Sequence, residues 1–242
     1  MRNNEELKRS HANGFGGSDA KMFAKIGTKG IESLSTTEKK RILVALGKME
    51  ADDFGGNVYT EAGHLFEDWC EQGNFIKNSE REKYIEREGL AKNFKVFTHA
   101  DFYNEQTGAV YECKFSQDPT YKVFEDYFEQ LQWYYMLGAQ SVTLVHGWGA
   151  VLPFEVAGYG FQEVAKEEAT IYYMKQGIEI LDQAIDEGMF DEYKQTEIAD
   201  TDMGGEAAKA VRALAYIMNT IKEAEQLANQ HKETLLAWME AH

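Results

Sequence analysis

The chain is expected to fold as an α/β domain, a central mixed β-sheet flanked by helices. Two observations carry that expectation. Helical and strand-like segments follow one another as helices, strands, helix, strands, helix, an order that neither an all-α nor an all-β domain produces. With 43% hydrophobic residues among 242, the chain also has enough apolar side chains for a substantial core.

The elements follow in order. A Gly-rich turn, HANGFGGSD, runs into a short helical pattern, AKMFAKIG, with Ser18 or Asp19 as its N-cap. A second helix is expected from Thr36 to Met49, capped by Ser35 or Thr36. After the turn FGGN at 54–57, a helix from Tyr59 to Phe75 should bury Ala62, Phe66, Trp69 and Cys70. KYIE at 83–86, FKVFT at 94–98 and GAVYECKF at 108–115 read as three strands. Pro119 ends that segment. Thr120 opens a helix to Gly138 with Phe124, Phe128, Leu131 and Tyr135 on one face. SVTLVHGW at 141–148 and AVLPFEV at 150–156 read as a hairpin. Ile171, Met174, Ile178, Leu181 and Ile185 then mark a long amphipathic helix by their steps of three and four. These elements make one domain over 1–190. An acidic linker over 191–205 leads to a C-terminal helix over 206–242. There Val211, Leu214, Met218, Ile221, Ala228 and Leu235 keep a heptad-like seam, interrupted by Glu225 and Lys232. That seam can dock on the domain, pair between subunits or hold a partner helix.

The start, MRNNEELKRS, lacks the apolar core of a signal peptide, and no apolar run is long enough to span a bilayer. Cys70 and Cys113 are too few for a disulfide framework or a four-thiolate metal site. A reducing, cytoplasmic setting with no membrane partner is expected. The formal net charge of −16 does not by itself exclude nucleic acid. Residues 1–50 carry a net +4, with Lys21, Lys25 and Lys29 followed by Lys39, Lys40 and Arg41. Phosphates respond to such local fields, because salt screens distant charge within about 10 Å.

Charged residues stand where strands should be apolar. Glu112 and Lys114 bracket Cys113, so they share one face of their strand while Tyr111 and Cys113 take the other. The turn from Asn104 to Gly108 can bring Asp101 beside Glu112. Two converging carboxylates repel unless a cation lies between them, and such oxygen ligands suit Mg²⁺, with Mn²⁺ as a substitute. A lysine there can position or deprotonate a water and offset phosphate charge. Glu-x-Lys alone is common on solvated strand faces. On the preceding helix Gly63 and Glu67 are four apart, which adds a third carboxylate on one face. On the following helix Gln130 and Tyr134 share a side, where an amide and a phenol can orient the lysine, a water or a DNA backbone.

The ordered series GxxxE, D, ExK, QxxxY resembles the PD-(D/E)xK nucleases, and within them the RecB-like branch of phage lambda exonuclease and the YqaJ-type viral recombinases. The resemblance extends over most of the first 150 residues and implies a restriction-endonuclease-like core. It implies Asp101 and Glu112 as metal ligands with the Cys113 carbonyl as a third. Glu67 would serve a second metal or a metal-bound water, Lys114 would be the catalytic lysine, and Gln130 would support it. GGSDA resembles the family's 5′-phosphate segment, with Ser18 at the phosphate-contacting serine. Arg9 is the near match to the family's phosphate-binding arginine, whereas spacing alone selects His11. Ala100 stands where the motif name has proline. His64 is assigned to DNA contact and His99 to packing.

The activity implied is metal-dependent 5′-to-3′ resection of linear double-stranded DNA for recombination. The partners would be DNA ends, a single-strand annealing protein and further copies of the chain, as a homotrimer. The alternatives are a structure-specific endonuclease, a Cas4-like nuclease, for which two cysteines cannot supply the usual cluster ligands, or a non-catalytic recombination scaffold.

Overall fold

The structure, a computed structural model, describes residues 14–50, 57–73 and 76–191. Arg9, His11, the linker from 192 onward and the expected helix over 206–242 lie outside the described residues. The first compact unit ends at Glu192.

In chain order the elements are β1 (Gly14–Phe15), α1 (Ala20–Lys29), α2 (Thr36–Ala45), α3 (Val58–Gln72), β2 (Glu80–Glu86), β3 (Lys95–Asn104) and β4 (Ala109–Ser116). Then come α4 (Val123–Asp126), α5 (Phe128–Leu137), β5 (Ser141–Ala150), β6 (Glu155–Val164) and α6 (Glu168–Asp186). The six strands form one mixed sheet in the order β1-β3-β4-β5-β6, with β2 also on β3. β4 and β5 are parallel and are joined through α4 and α5, as parallel neighbours require. β3–β4 and β5–β6 are antiparallel.

The sheet has a helix layer on each side. Ala100, Val110, Leu131, Tyr134, Val142 and Leu144 pack together on the α5 side. Phe66 and Cys70 of α3 pack with Phe102, Cys113 and Val145 on the other. Odd and even residues of β4 therefore divide between the layers as expected, with Cys113 in the apolar one. α1 and α6 cross backbone to backbone. A Cβ at Gly27 would stand 1.9 Å from the Tyr173 carbonyl oxygen, and one at Gly177 2.0 Å from that of Phe23.

Local signals account for the helix starts. Ser35 and Glu38 form a capping box, in which Glu38 N–H donates to Ser35 Oγ and Ser35 N–H to the Glu38 carboxylate. Asn57 Oδ1 accepts from the amides of Tyr59 and Thr60. Asp19 occupies the N-cap position of α1, but its side chain does not cap that helix.

Several boundaries differ from the sequence reading. The strand expected over 94–98 continues to Asn104, because the buried Asp101 interrupts an apolar run without ending the strand. The helix expected over 120–138 is two pieces, parted at Tyr127. The second hairpin strand is Glu155–Val164 and not 150–156. Pro153 has no N–H for a ladder, so its segment makes the turn, while Gly158 and Gly160 hide the alternation of the true strand. Helices α2 and α3 stop at Ala45 and Gln72, and Trp69 is only partly buried.

Candidate active site

The site lies where the sheet forks. β3 pairs with β4 only from Phe102↔Tyr111 to Asn104↔Ala109, and with β1 only at Lys95 and Val96. Between these stretches α5 serves the strand edge with side chains. Trp133 Nε1 donates to the Phe97 carbonyl at 2.9 Å, and Tyr134 Oη lies 3.4 Å from that of His99. Extending the β3–β4 register by one residue sets Asp101 opposite Glu112, at the point where the strands part.

The face alternation of β3 resets at the same point. On a regular strand residues two apart share a face, yet Ala100 packs with Leu131 and Tyr134 while Phe102 packs with Phe66. The β2–β3 register skips one step, between Arg81↔Phe102 and Lys83↔Ala100, where Glu82 would meet Asp101, and Glu82 has φ +56°, a left-handed conformation that glutamate rarely adopts. Backbone strain thus sits beside a buried carboxylate.

The structure brings Glu67, Asp101, Glu112, Lys114, Gln130 and Tyr134 together. Glu67, Asp101 and Glu112 are 7%, 8% and 2% exposed, so each must find a positive or hydrogen-bonding partner within the protein. Glu112 Oε1 accepts from Lys114 Nζ and from Gln130 Nε2, the latter at 2.7 Å, and Oε2 accepts from the Tyr134 hydroxyl. Asp101 Oδ2 accepts from the Cys113 amide at 2.8 Å. In an extended strand a residue's N–H and C=O leave by the same edge, so the Cys113 carbonyl faces the fork as well.

Burial, then the charge of Glu112, push the Asp101 carboxyl well above the usual carboxylate range; Glu67 adds to this and Lys114 opposes it. Burial alone would pull Lys114 down, but Glu112 and Asp101 outweigh it and the ammonium is held above its ordinary value. Lys114 is therefore held as an ammonium beside the two carboxylates. Tyr134 is pushed up by burial and by Glu112 and Asp101, and stays a phenol.

Some contributors were not legible in the sequence. Arg81 of β2 reaches α3 and holds Glu67 at 3.3 Å, Asp68 at 2.5 Å and Glu71 at 3.0 Å. Its charged surroundings, SEREKY, gave no signal. Tyr127 places its ring 4.7 Å from Lys114 Nζ. Its spacing of three from Gln130 and seven from Tyr134 was the available clue. Arg41 grips Asp19 with Nε at 2.9 Å and Nη2 at 2.7 Å, and also donates to the Gly14 carbonyl. This clamp fixes the GGSD turn, which explains why Asp19 does not cap α1. Ser18 is exposed on that turn. Its neighbour Gly17 backs onto the site, since a Cβ there would meet Gln130 Cγ at 3.3 Å. His64 is half-exposed with Nδ1 3.5 Å from Glu67 Oε1. His99 packs against Tyr84 and Phe97, a structural role as expected.

As the side chains stand, no three His, Cys, Asp or Glu groups among the described residues are gathered closely enough to hold one metal ion. Glu112 is turned instead to Lys114, Gln130 and Tyr134. The donor chemistry nevertheless fits a hard divalent cation. Three buried carboxylates and a backbone carbonyl are all oxygen, and Asp101 is costly to ionise without added positive charge. The Cys113 thiol points away, held in its protonated form by its hydrogen bond to Cys70 and by burial.

The forked mixed sheet between helix layers defines a restriction-endonuclease-like α/β protein. Two solved exonucleases share the fold. One is a phage-related exonuclease from Haemophilus somnus 129PT, with TM-score 0.54 and 14% identity over 77% of this chain and 100% of that one. The other is LHK-Exo, an alkaline exonuclease from Laribacter hongkongensis, with TM-score 0.54 and 14% identity over 78% and 96%. The structure of LHK-Exo in complex with dAMP gives TM-score 0.53 and 13% identity over the same shares. The likeness is one of fold. No protein-family profile matches the chain, and no curated protein matches it. No helix among the described residues is long and apolar enough to cross a membrane.

Proposed function

We propose that this chain is a divalent-metal-dependent deoxyribonuclease that degrades linear duplex DNA from its 5′ ends. The observation that carries the reading is the convergence of Glu67, Asp101, Glu112 and Lys114 from α3, β3 and β4 at the sheet fork. The fold shared with two exonucleases supports it. Asp101, Glu112 and the Cys113 carbonyl would hold the cation, with Glu67 serving a second one or its water. When bound, that cation supplies Lewis-acid polarisation of the scissile phosphate.

The chain's own residues do the rest. Lys114 offers a fixed positive charge to a phosphate oxygen, and the Tyr127 ring beside it keeps one side of the ammonium dry. Gln130 and Tyr134 fix the Glu112 carboxylate by one hydrogen bond to each oxygen. Arg81 fixes Glu67. Exposed Ser18, on the clamped turn beside Gln130, would donate to the 5′ phosphate, and half-exposed His64 would reach the DNA backbone. Product of such resection is a 3′ single strand, the substrate of an annealing protein. A homotrimer is part of this reading, to be read from sedimentation.

The test digests 5′- and 3′-end-labelled linear duplex and closed circular DNA with Mg²⁺, using the wild type and Lys114→Met. Processive loss of the 5′ label and of linear duplex, with intact circles and an inactive, folded variant, is expected. Cutting of circles would make the protein an endonuclease. A wild type that leaves every DNA intact with Mg²⁺ or Mn²⁺ overturns the reading.

A further inference from the structure

The sheet face that carries Glu112 and Lys114 continues past them onto β5 and β6. Lys114 pairs with His146, and Ser116 with Trp148. Paired residues of a sheet share a face, so His146 and Trp148 stand on the active-site side. Trp148 is opposite Gly158, and a Cβ at Gly158 would fall 2.5 to 3.0 Å from Cζ2, Cε2 and Nε1 of the indole. The Nε1–Cζ2 side of the ring therefore fills the space over the glycine backbone. Gly160, opposite His146, has open space where a Cβ would be. Two glycines on the edge strand thus clear a lane beside the catalytic lysine, floored by an indole that remains partly exposed.

The histidine is set as well. Ser116 Oγ donates its one proton to the Asp118 carbonyl at 2.7 Å, so it can only accept from His146 Nε2 at 2.8 Å. The proton is then on Nε2, and Nδ1 is left as an acceptor. The His146 ring lies 5.7 Å from that of Trp148, which holds the indole from one side.

We propose that Trp148 is a stacking platform for an unpaired nucleobase of the DNA strand held at the site. This rests on the deoxyribonuclease reading and extends it to a named base subsite. By strand spacing, Trp148 is roughly 8 Å from Lys114, one strand across and two residues along. That span is about one nucleotide, so the base next to the scissile phosphate would reach the ring. Stacking accepts every base, because each has a π face, and contributes about 1–3 kcal/mol per base. An enzyme that resects arbitrary sequence needs a contact of that kind.

The test compares the full-length wild type, Trp148→Phe and Trp148→Ala. Binding of a fluorescein-labelled oligo-dT single strand is measured by anisotropy in EDTA, and KM and kcat are measured on linear duplex with Mg²⁺. Trp148→Ala should weaken oligonucleotide binding and raise KM about 5- to 100-fold, while Trp148→Phe keeps most of both and melting temperatures stay level. Equal binding and KM in all three variants, with an active wild type, overturns the platform and leaves the nuclease reading standing. A variant that melts early is replaced by Trp148→Leu, which fills the lane without a π face and should behave as Trp148→Ala; wild-type binding by Trp148→Leu also overturns the platform. A wild type that neither cuts nor binds DNA refutes the underlying reading itself.

Discussion

Asp101→Asn should make the metal-free protein more stable while destroying its activity. Asp101 is 8% exposed and falls opposite Glu112 one step past the last pair of the β3–β4 register. Opposed side chains of a sheet place their Cβ atoms about 5 Å apart. Two unit charges at that distance repel by about 3 kcal/mol at an effective dielectric constant of ~20. Lys114 returns part of this, which leaves a gain of about 1–3 kcal/mol for the neutral amide. The asparagine oxygen can still accept from the Cys113 amide, so no hydrogen bond need be lost. The pH dependence has a definite sign. Burial and Glu112 hold the Asp101 carboxyl above its unfolded pKa. Its contribution to stability is then full below the ordinary carboxylate range and is lost as pH rises through the raised value. Thermal melts in EDTA from pH 5 to 8 should show the wild type losing stability relative to Asp101→Asn as pH rises. Near neutral pH the variant should melt about 2–10 °C higher. Mg²⁺ should raise the wild type and leave the variant nearly unmoved. A variant that melts below the wild type in EDTA at pH 8 would refute the electrostatic account of the fork.

Three further outcomes follow from the packing and the hydrogen bonds. Gly27→Ala drives a methyl against the Tyr173 carbonyl at the α1–α6 crossing and should cost about 3 kcal/mol or more in urea unfolding. Arg41→Met leaves the buried Asp19 carboxylate without its fork and should cost about 3–5 kcal/mol, much of it recovered in the double variant with Asp19→Asn. Tyr134→Phe removes the donor to Glu112 Oε2. It should cost about 1–3 kcal/mol and lower kcat with KM little changed, as steady-state rates on linear duplex will show.

The elements with strong local signals were legible in the sequence. Ser35 with Glu38, and the three-four spacing from Ile171 to Leu181, state a cap and a buried face in a few residues. β6 was not legible, because its glycines remove the alternation that marks a strand while serving the indole of Trp148. β3 was cut short for the opposite reason, since a functional carboxylate stands where an apolar residue would continue the pattern. The site shows the same division. Strand and helix periods pair Glu112 with Lys114 and Gln130 with Tyr134, the resemblance puts the two pairs in one site, and the structure joins them directly. Arg81 and Arg41 act on residues 14 and 22 positions away, through contacts that only the tertiary fold creates. No local period can announce such a pairing.

The parting of β3 and β4 has a consequence for metal choice. Asp101 and Glu112 stand on strands that no longer share ladder bonds there, so the gap between them is held by side chains, the Asp101 carboxylate on the Cys113 amide among them. Trp133, anchored to the Phe97 carbonyl, and Tyr134, bonded to Glu112, help to set it from the helix layer. The proposed ligand spacing is thereby a dependent variable of aromatic packing. If the site holds the proposed cation, a change of core volume under α5 would shift its preference between a small cation and a larger one with every charged residue left in place.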